Sequence, residues 1–137
     1  MNWVEKKPAP GDIVRTKVRF YHHYGIYVSD EQVIQFGMPD NTGTPNEQIC
    51  VLATDVYTFL HGGSLETGEP DREERKKMRP AAEAVAMAQS RLGQTGYDIL
   101  HNNCEHFVND CVFGEPVSGW LEAERAKLRE KLRKQKR

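Results

Sequence analysis

No stretch of this sequence approaches the roughly eighteen consecutive apolar residues that a membrane-crossing helix needs. Its opening, Met1-Asn2-Trp3-Val4-Glu5-Lys6-Lys7, lacks the apolar core of a secretory signal. Transmembrane and exported readings are therefore disfavoured, and a cytoplasmic protein is expected. Cysteines are few and odd in number, Cys50, Cys104 and Cys111, so no disulfide framework is implied and reduced thiols are the default. A basic stripe is also missing from most of the chain. Eight Lys/Arg against three Glu between Trp120 and Arg137 give that segment a charge of +5 and leave −6 on residues 1–119, which makes nucleic acid a poor partner for the folded part. No internal repeat is present. A length of 137 residues with 38% hydrophobic and 28% charged content fits one modest core rather than several domains or a disordered chain.

What is present begins with strand patterns. Gly11 to Phe20 approximates the alternation of a half-buried strand. His22–Val28 and Gln32–Phe36 flank Ser29-Asp30-Glu31 and read as a hairpin with a short polar loop. After a loop rich in Gly, Pro, Asn and Thr, Gln48–Leu52 gives a further strand. Thr54 offers an N-cap for a short turn ending at Gly62-Gly63, and Ser64 to Arg79 reads as a charged connection. From Pro80 the period becomes helical. Ala81, Ala84, Val85, Ala88 and Leu92 share one face, Pro80 suits the first helical position and Gly93 ends the helix. Tyr97–Leu100 reads as extended, and Asn102 or Asn103 caps a last core helix in which Cys104, Phe107, Val108 and Cys111 repeat at i, i+3, i+4 and i+7.

The fold class expected is α+β, an antiparallel sheet packed against helices, with a core domain over 1–114 and a basic amphipathic helix or tail over 115–137. In that tail Leu121, Leu128 and Leu132 make a narrow apolar seam among Glu and Lys/Arg, with Glu130 and Lys134 at i, i+4. It reads first as a solvated helix or one docked on its own domain, with contact to anionic lipid and self-association as alternatives.

A thiol becomes a nucleophile when its anion is stabilised, most often by a helix N-terminus or a neighbouring imidazole. With Asn103 as cap, Cys104 sits in the first helical turn, where unpaired backbone N–H groups favour a thiolate and support an oxyanion. Its place on the apolar stripe turns the sulfur toward the sheet. His106 is nearest in sequence, yet two helical steps put it about 200° around the axis. A base must come from the sheet, and His23 lies mid-strand, sharing a face with Gly25 and Tyr27. Gln35, twelve positions on, shares that face only if the hairpin loop holds an odd number of residues, which makes the two diagonal neighbours roughly 7–8 Å apart at Cα. Its amide then accepts the proton of one ring nitrogen and orients the imidazole.

From spacing alone the plain readings stand beside these. A buried cysteine at a helix start is ordinarily an inert core residue and a strand histidine a satisfied structural one. His22 and His61 read as solvent-facing, Cys50 and Cys111 as small apolar groups. His101, Cys104 and His106 lack a recognised zinc-ligand spacing, so no metal and no cofactor are expected.

Together, Pro10-Gly11-Asp12-Ile13-Val14, Tyr21-His22-His23-Tyr24-Gly25-Ile26-Tyr27-Val28 and Asn103-Cys104-Glu105-His106-Phe107-Val108 resemble the lecithin:retinol acyltransferase-like family, with its H-box and NCEHF box, over roughly residues 8 to 114. The resemblance implies a circularly permuted papain-like fold related to NlpC/P60 proteins, with Cys104 as nucleophile and His23 as general base. Gln35 falls where the vertebrate enzymes carry a second histidine. Those enzymes pass acyl chains from phospholipids through a thioester to water, an amine or retinol. An acyl-bearing small molecule or lipid is thus the implied partner, and Tyr21 or Tyr24 beside His23 would line its pocket. Several vertebrate members carry a C-terminal membrane helix, for which this sequence has no apolar counterpart, so access to a bilayer is expected to be peripheral, through the tail. The same residues fit a peptidase or amidase, or a non-catalytic binding module on the same scaffold.

Overall fold

The computed structural model describes residues 1–19, 21–39, 43–100, 102–114 and 119–135. Its centre is the hairpin of β3 (Tyr21–Ser29) and β4 (Gln32–Phe36). Around it β1 (Asn2–Val4), β2 (Ile13–Val18), β5 (Val51–Thr54) and β6 (Glu66–Glu69) complete a six-stranded sheet of order β1-β6-β2-β3-β4-β5, antiparallel at every described pairing. α1 (Val56–Leu60) covers one face, where Val14, Tyr27, Val33 and Phe59 cluster. α3 (Ala81–Ser90) and α4 (Cys104–Phe113) cover the other, where Ile13, Ile26, Ile34 and Phe36 meet Ala84, Ala88, Phe107, Val108 and Cys111. The period-2 pattern of β3 divides the two cores: Gly25 and Tyr27 face α1, Tyr24 and Ile26 face α4. The α+β expectation is met.

The hairpin reaches its register by another route than a three-residue loop. Ser29 pairs with Gln32 across Asp30 and Glu31, and the register then shifts so that Tyr27 pairs with Val33 and Gly25 with Gln35. One extra residue, Val28, forms a bulge on the β3 side. A two-residue turn plus that bulge has the required odd parity; without the bulge Gln35 would oppose Ile26 and point to the α4 face.

Several segments differ from the sequence reading. The 64–79 connection contains β6 and α2 (Arg72–Lys77), and the polar lead contains β1. Strand β6 has no apolar alternation. It is held by the ladder and by Thr67, fully buried with its hydroxyl donating to the Lys6 carbonyl at 2.7 Å, and by the Arg15–Glu66 and Lys6–Glu69 ion pairs. α2 starts with a reciprocal capping box between Asp71 and Glu74. β5 begins later than expected, after a 3₁₀ turn at Asn46–Gln48, and Asp55 rather than Thr54 caps α1. Tyr97–Leu100 is not a strand: the chain turns there, closed by an Asp98–Asn102 bridge. α3 buries a narrower face than its spacing predicts, Ala84 and Ala88, leaving Ala81 and Leu92 exposed, with Pro80 at the N-cap.

The last helix, α5, spans Gly119–Gln135. Leu128 and Leu132 are 57% and 49% exposed there, and Glu130 pairs with Arg133. Among the described residues no helix is long and apolar enough to cross a membrane.

Candidate active site

The start of α4 is fixed by its own side chains. The Asn103 carboxamide oxygen accepts from the backbone N–H groups of Glu105 and His106, each at 3.0 Å. His106 Nδ1 accepts in return from the Asn103 N–H at 2.9 Å, a capping box in which imidazole takes the usual place of Glu or Gln. His106 is thus turned away from Cys104, as its helical position requires, but it is buried and committed to the cap rather than solvated. The Asn103 amide also donates to the Ile99 carbonyl at 2.9 Å, tying the 98–102 turn to the helix. Cys104 is left as the first helical residue, 7% exposed.

His23 approaches from the α1 side of the sheet and is 3% exposed. Its Nε2 lies 2.8 Å from Gln35 Oε1, the diagonal contact that the bulged register creates. Phe59 of α1 covers the ring at 5.4 Å between centroids, tilted by 33°. That ring fills the space left by Gly25: a Cβ there would stand 2.8 Å from both Phe59 Cε1 and Val33 Cγ1. Glycine two residues from His23 therefore admits a helix side chain of the protein itself.

Cys104 and His23 line one cavity of about 550 Å³, with Gly37, just past the end of β4, also in its wall. The two side chains share no hydrogen bond; the sulfur meets backbone donors instead. Burial pushes the Cys104 thiol up to about 11, against the opposing pull of backbone hydrogen bonds from Tyr24 and from Cys104 and Glu105 at the helix start. Burial likewise holds His23 down to about 4, outweighing its bonds to Gln35 and the Gly37 backbone. Both groups are neutral at pH 7. This corrects the expectation of a stabilised thiolate: the helix terminus acts in the expected direction, but desolvation exceeds it.

Both tyrosines singled out from sequence line the cavity. Tyr21 stands 40% exposed with its hydroxyl 3.5 Å from the Pro39 carbonyl, while burial raises the Tyr24 phenol to about 12, so that it stays neutral. Most of the remaining wall is apolar, from Phe36, Met38, Ile49, Tyr97 and Ile99. Tyr97, edge-on to Phe36 at 5.2 Å, escaped the sequence reading because it sits in an irregular turn with no periodicity to flag it. Phe59 and Thr54 were also missed; the Gly25 gap was the available signal for Phe59. Cys111 is buried in the α4 core and Cys50 is half-buried. Among the described residues no group of three or more His, Cys, Asp and Glu is placed to hold a metal, and His101 lies outside them.

The protein is thus an α+β fold in which a helix-start cysteine and a strand histidine line one cavity. Residues 6–117 match the model of the lecithin retinol acyltransferase family, and the chain belongs to that family. It is similar to lecithin retinol acyltransferase of Rattus norvegicus, 31% identical over 129 residues, covering 79% of this chain and 55% of the relative. Phospholipase A and acyltransferase 3 of Mus musculus is 28% identical over 121 residues, covering 82% of this chain and 75% of the relative. Phospholipase A and acyltransferase 5 of Rattus norvegicus is 27% identical over 124 residues, with 85% and 43% covered. The chain thus spans about half the length of the lecithin retinol acyltransferases it matches.

Proposed function

We propose that this protein is an enzyme transferring or hydrolysing acyl groups of lipid esters through a thioester on Cys104, with His23 as the base and Gln35 orienting it. The observation that carries this reading is the common cavity of Cys104 and His23, walled mostly by apolar side chains of a kind that suits an acyl chain better than a peptide. As an ester carbonyl reaches the sulfur, His23 takes the thiol proton and sulfur bonds to the carbonyl carbon. The charge moves onto the carbonyl oxygen, beside the backbone N–H groups of Cys104 and Tyr24. Collapse breaks the ester C–O bond, the leaving alcohol takes the proton from His23, and the acyl group stays on Cys104. Water, an amine or an alcohol then attacks the thioester, giving its own proton to His23, and the thiol is restored.

The chain order, histidine strand before cysteine helix, supports placing the fold with circularly permuted papain-like, NlpC/P60-related proteins. On this reading residues 1–114 form the acyl-transfer domain and 115–137 a tail. Peripheral contact with an anionic bilayer runs through α5, where exposed Leu128 and Leu132 lie one turn apart among Lys127, Arg129, Lys131 and Arg133.

The test is intact mass after incubation with phosphatidylcholine vesicles and, separately, acyl-amide donors, comparing the native chain with Cys104→Ala. An adduct of acyl mass from the phospholipid, absent in the variant, is expected. Turnover of peptide amides alone moves the protein to the peptidase reading. Absence of any adduct or turnover leaves a binding module.

A further inference from the structure

We propose that Thr54 is a positioning residue for this site: it fixes the orientation of the Gln35 amide and thereby holds His23 in the tautomer that carries its proton on Nε2 and its lone pair on Nδ1. The inference rests on the reading of His23 as the base and adds a residue outside the Cys104, His23 and Gln35 set.

Three polar side chains step diagonally across three strands of one sheet face. His23 on β3 meets Gln35 on β4 at 2.8 Å, and Gln35 Nε2 meets Thr54 Oγ1 on β5 at 2.8 Å. The pairings Gly25↔Gln35 and Val33↔Thr54 place all three on the α1 side. Gln35 is fully buried, so neither end of its amide has water as an alternative partner.

The direction of the chain is set at its far end. Thr54 Oγ1 lies 3.0 Å from the Asp55 carbonyl oxygen, an atom that only accepts. The threonine hydroxyl has one hydrogen. Once that hydrogen is given to Asp55, Oγ1 faces Gln35 as an acceptor and takes an N–H from it. The amide nitrogen therefore lies toward Thr54 and the amide oxygen toward His23. The Gly37 backbone is the ring's other partner, and with its N–H given to Cys50 it offers only a carbonyl. The neutral ring has one hydrogen for two acceptors, and an amide oxygen held toward Nε2 keeps that hydrogen there and leaves Nδ1 basic. The Asp55 carbonyl is itself anchored, because it also accepts the Phe59 N–H at 3.0 Å and Asp55 caps α1. The helix whose Phe59 covers the His23 ring thus also supplies the terminus that orients its proton. A carboxylate would fix the same tautomer by charge. A neutral glutamine presents two ends of equal size, and a polar anchor beyond it decides which end the imidazole meets.

The experiment uses the full chain with ¹⁵N-labelled histidine, in native form and as Thr54→Val and Thr54→Ser. Valine matches threonine in shape and suits a strand, so the ladder at Val33↔Thr54 persists, while serine keeps the hydroxyl. Long-range ¹H–¹⁵N correlation spectra at pH 7 report the tautomer without substrate. The native chain and Thr54→Ser are expected to show the Nε2–H form, and Thr54→Val to show a substantial Nδ1–H population with kcat on phosphatidylcholine vesicles lowered about tenfold or more and KM little changed. An Nδ1–H native chain overturns the proposal, as does a Thr54→Val protein that keeps the native tautomer, whatever its kcat. Because the spectra need no turnover, a native chain inactive on phosphatidylcholine counts against the proposed function, while the tautomer alone decides the part played by Thr54.

Discussion

Cys104 and His23 open on one cavity while burial drives their ionisations apart, the thiol up to about 11 and the imidazole down to about 4. Desolvation penalises the charged form of each, so the resting pair is thiol and free imidazole, and no ion pair waits for substrate. In an ion-paired site, loss of the imidazolium proton would end activity on the alkaline side. Here the active form is the one already present at neutral pH, and kcat/KM for acyl transfer is expected to stay level from about pH 5 to 9, falling only as His23 gains a proton nearer pH 4. A pH–rate profile with a steep alkaline limb near pH 8 would contradict this.

Gln35→Glu tests the same balance from the other side. A carboxylate at the Gln35 position would sit at hydrogen-bond distance from His23 Nε2 and favour the imidazolium, an effect of roughly 1–3 pK units for an opposite charge this close. The acid limb of kcat/KM is expected to move upward by at least about one unit. Gln35→Leu, by contrast, removes the ring's side-chain partner and leaves it the Gly37 backbone alone, with a stability loss of about 1–3 kcal/mol. Denaturant unfolding separates the two variants.

The position of Gln35 also shows how far sequence reaches. Parity alone required an odd insertion between β3 and β4 for it to share the His23 face, and the chain supplies one through Val28 and a two-residue turn. Apolar period placed α3 and α4 because their buried residues recur at helical spacing. It failed at β6, whose four residues are Glu, Thr, Gly and Glu: that strand exists because β1 and β2 pair with it, a tertiary cause with no local pattern. It failed again at Tyr97, held by packing on Phe36 within a turn. The cysteine and histidine were legible as types at positions. Their protonation was not, because burial that exceeds a helix terminus belongs to the assembled core.

His23 links the site to stability. Its folded pKa of about 4 lies below the ordinary histidine value of 6.5, so the unfolded chain takes up a proton that the native chain resists. The contribution is fully present above about pH 6.5 and is lost as pH falls toward 4, up to about 3 kcal/mol. His23→Gln removes the titration, and the native protein is expected to lose more stability than this variant between pH 7 and 4. Parallel curves from urea unfolding at both pH values would refute the linkage.

Gly25→Ala is expected to destabilise by about 1–3 kcal/mol through overpacking. The new methyl would lie 2.8 Å from Phe59 Cε1 and Val33 Cγ1 and 3.2 Å from the Ile34 carbonyl, and Val33 has few rotamers with which to yield. Pairing it with Phe59→Leu should recover part of the loss, a coupling readable in a double-mutant cycle. Full additivity would show that the Phe59 contact is not the cause.

Asn103 separates holding the helix from tuning the thiol. Asn103→Ala removes the acceptor of two backbone N–H groups and the donor to Ile99, and a loss of about 0.5–2 kcal/mol is expected from the cap alone. Asn103→Asp keeps the acceptor and adds a negative charge that the helix N-terminus favours, which offsets part of the loss of the N–H given to the Ile99 carbonyl. That charge lies next to Cys104, where Glu105 already raises the thiol, and it opposes any negative charge developing on sulfur or on an oxyanion. The aspartate variant is therefore expected to unfold at a higher urea concentration than Asn103→Ala while its acyl adduct on Cys104 forms at least about tenfold more slowly than that of the native chain. If the adduct forms at the native rate, the electrostatics of the α4 terminus do not control the attack.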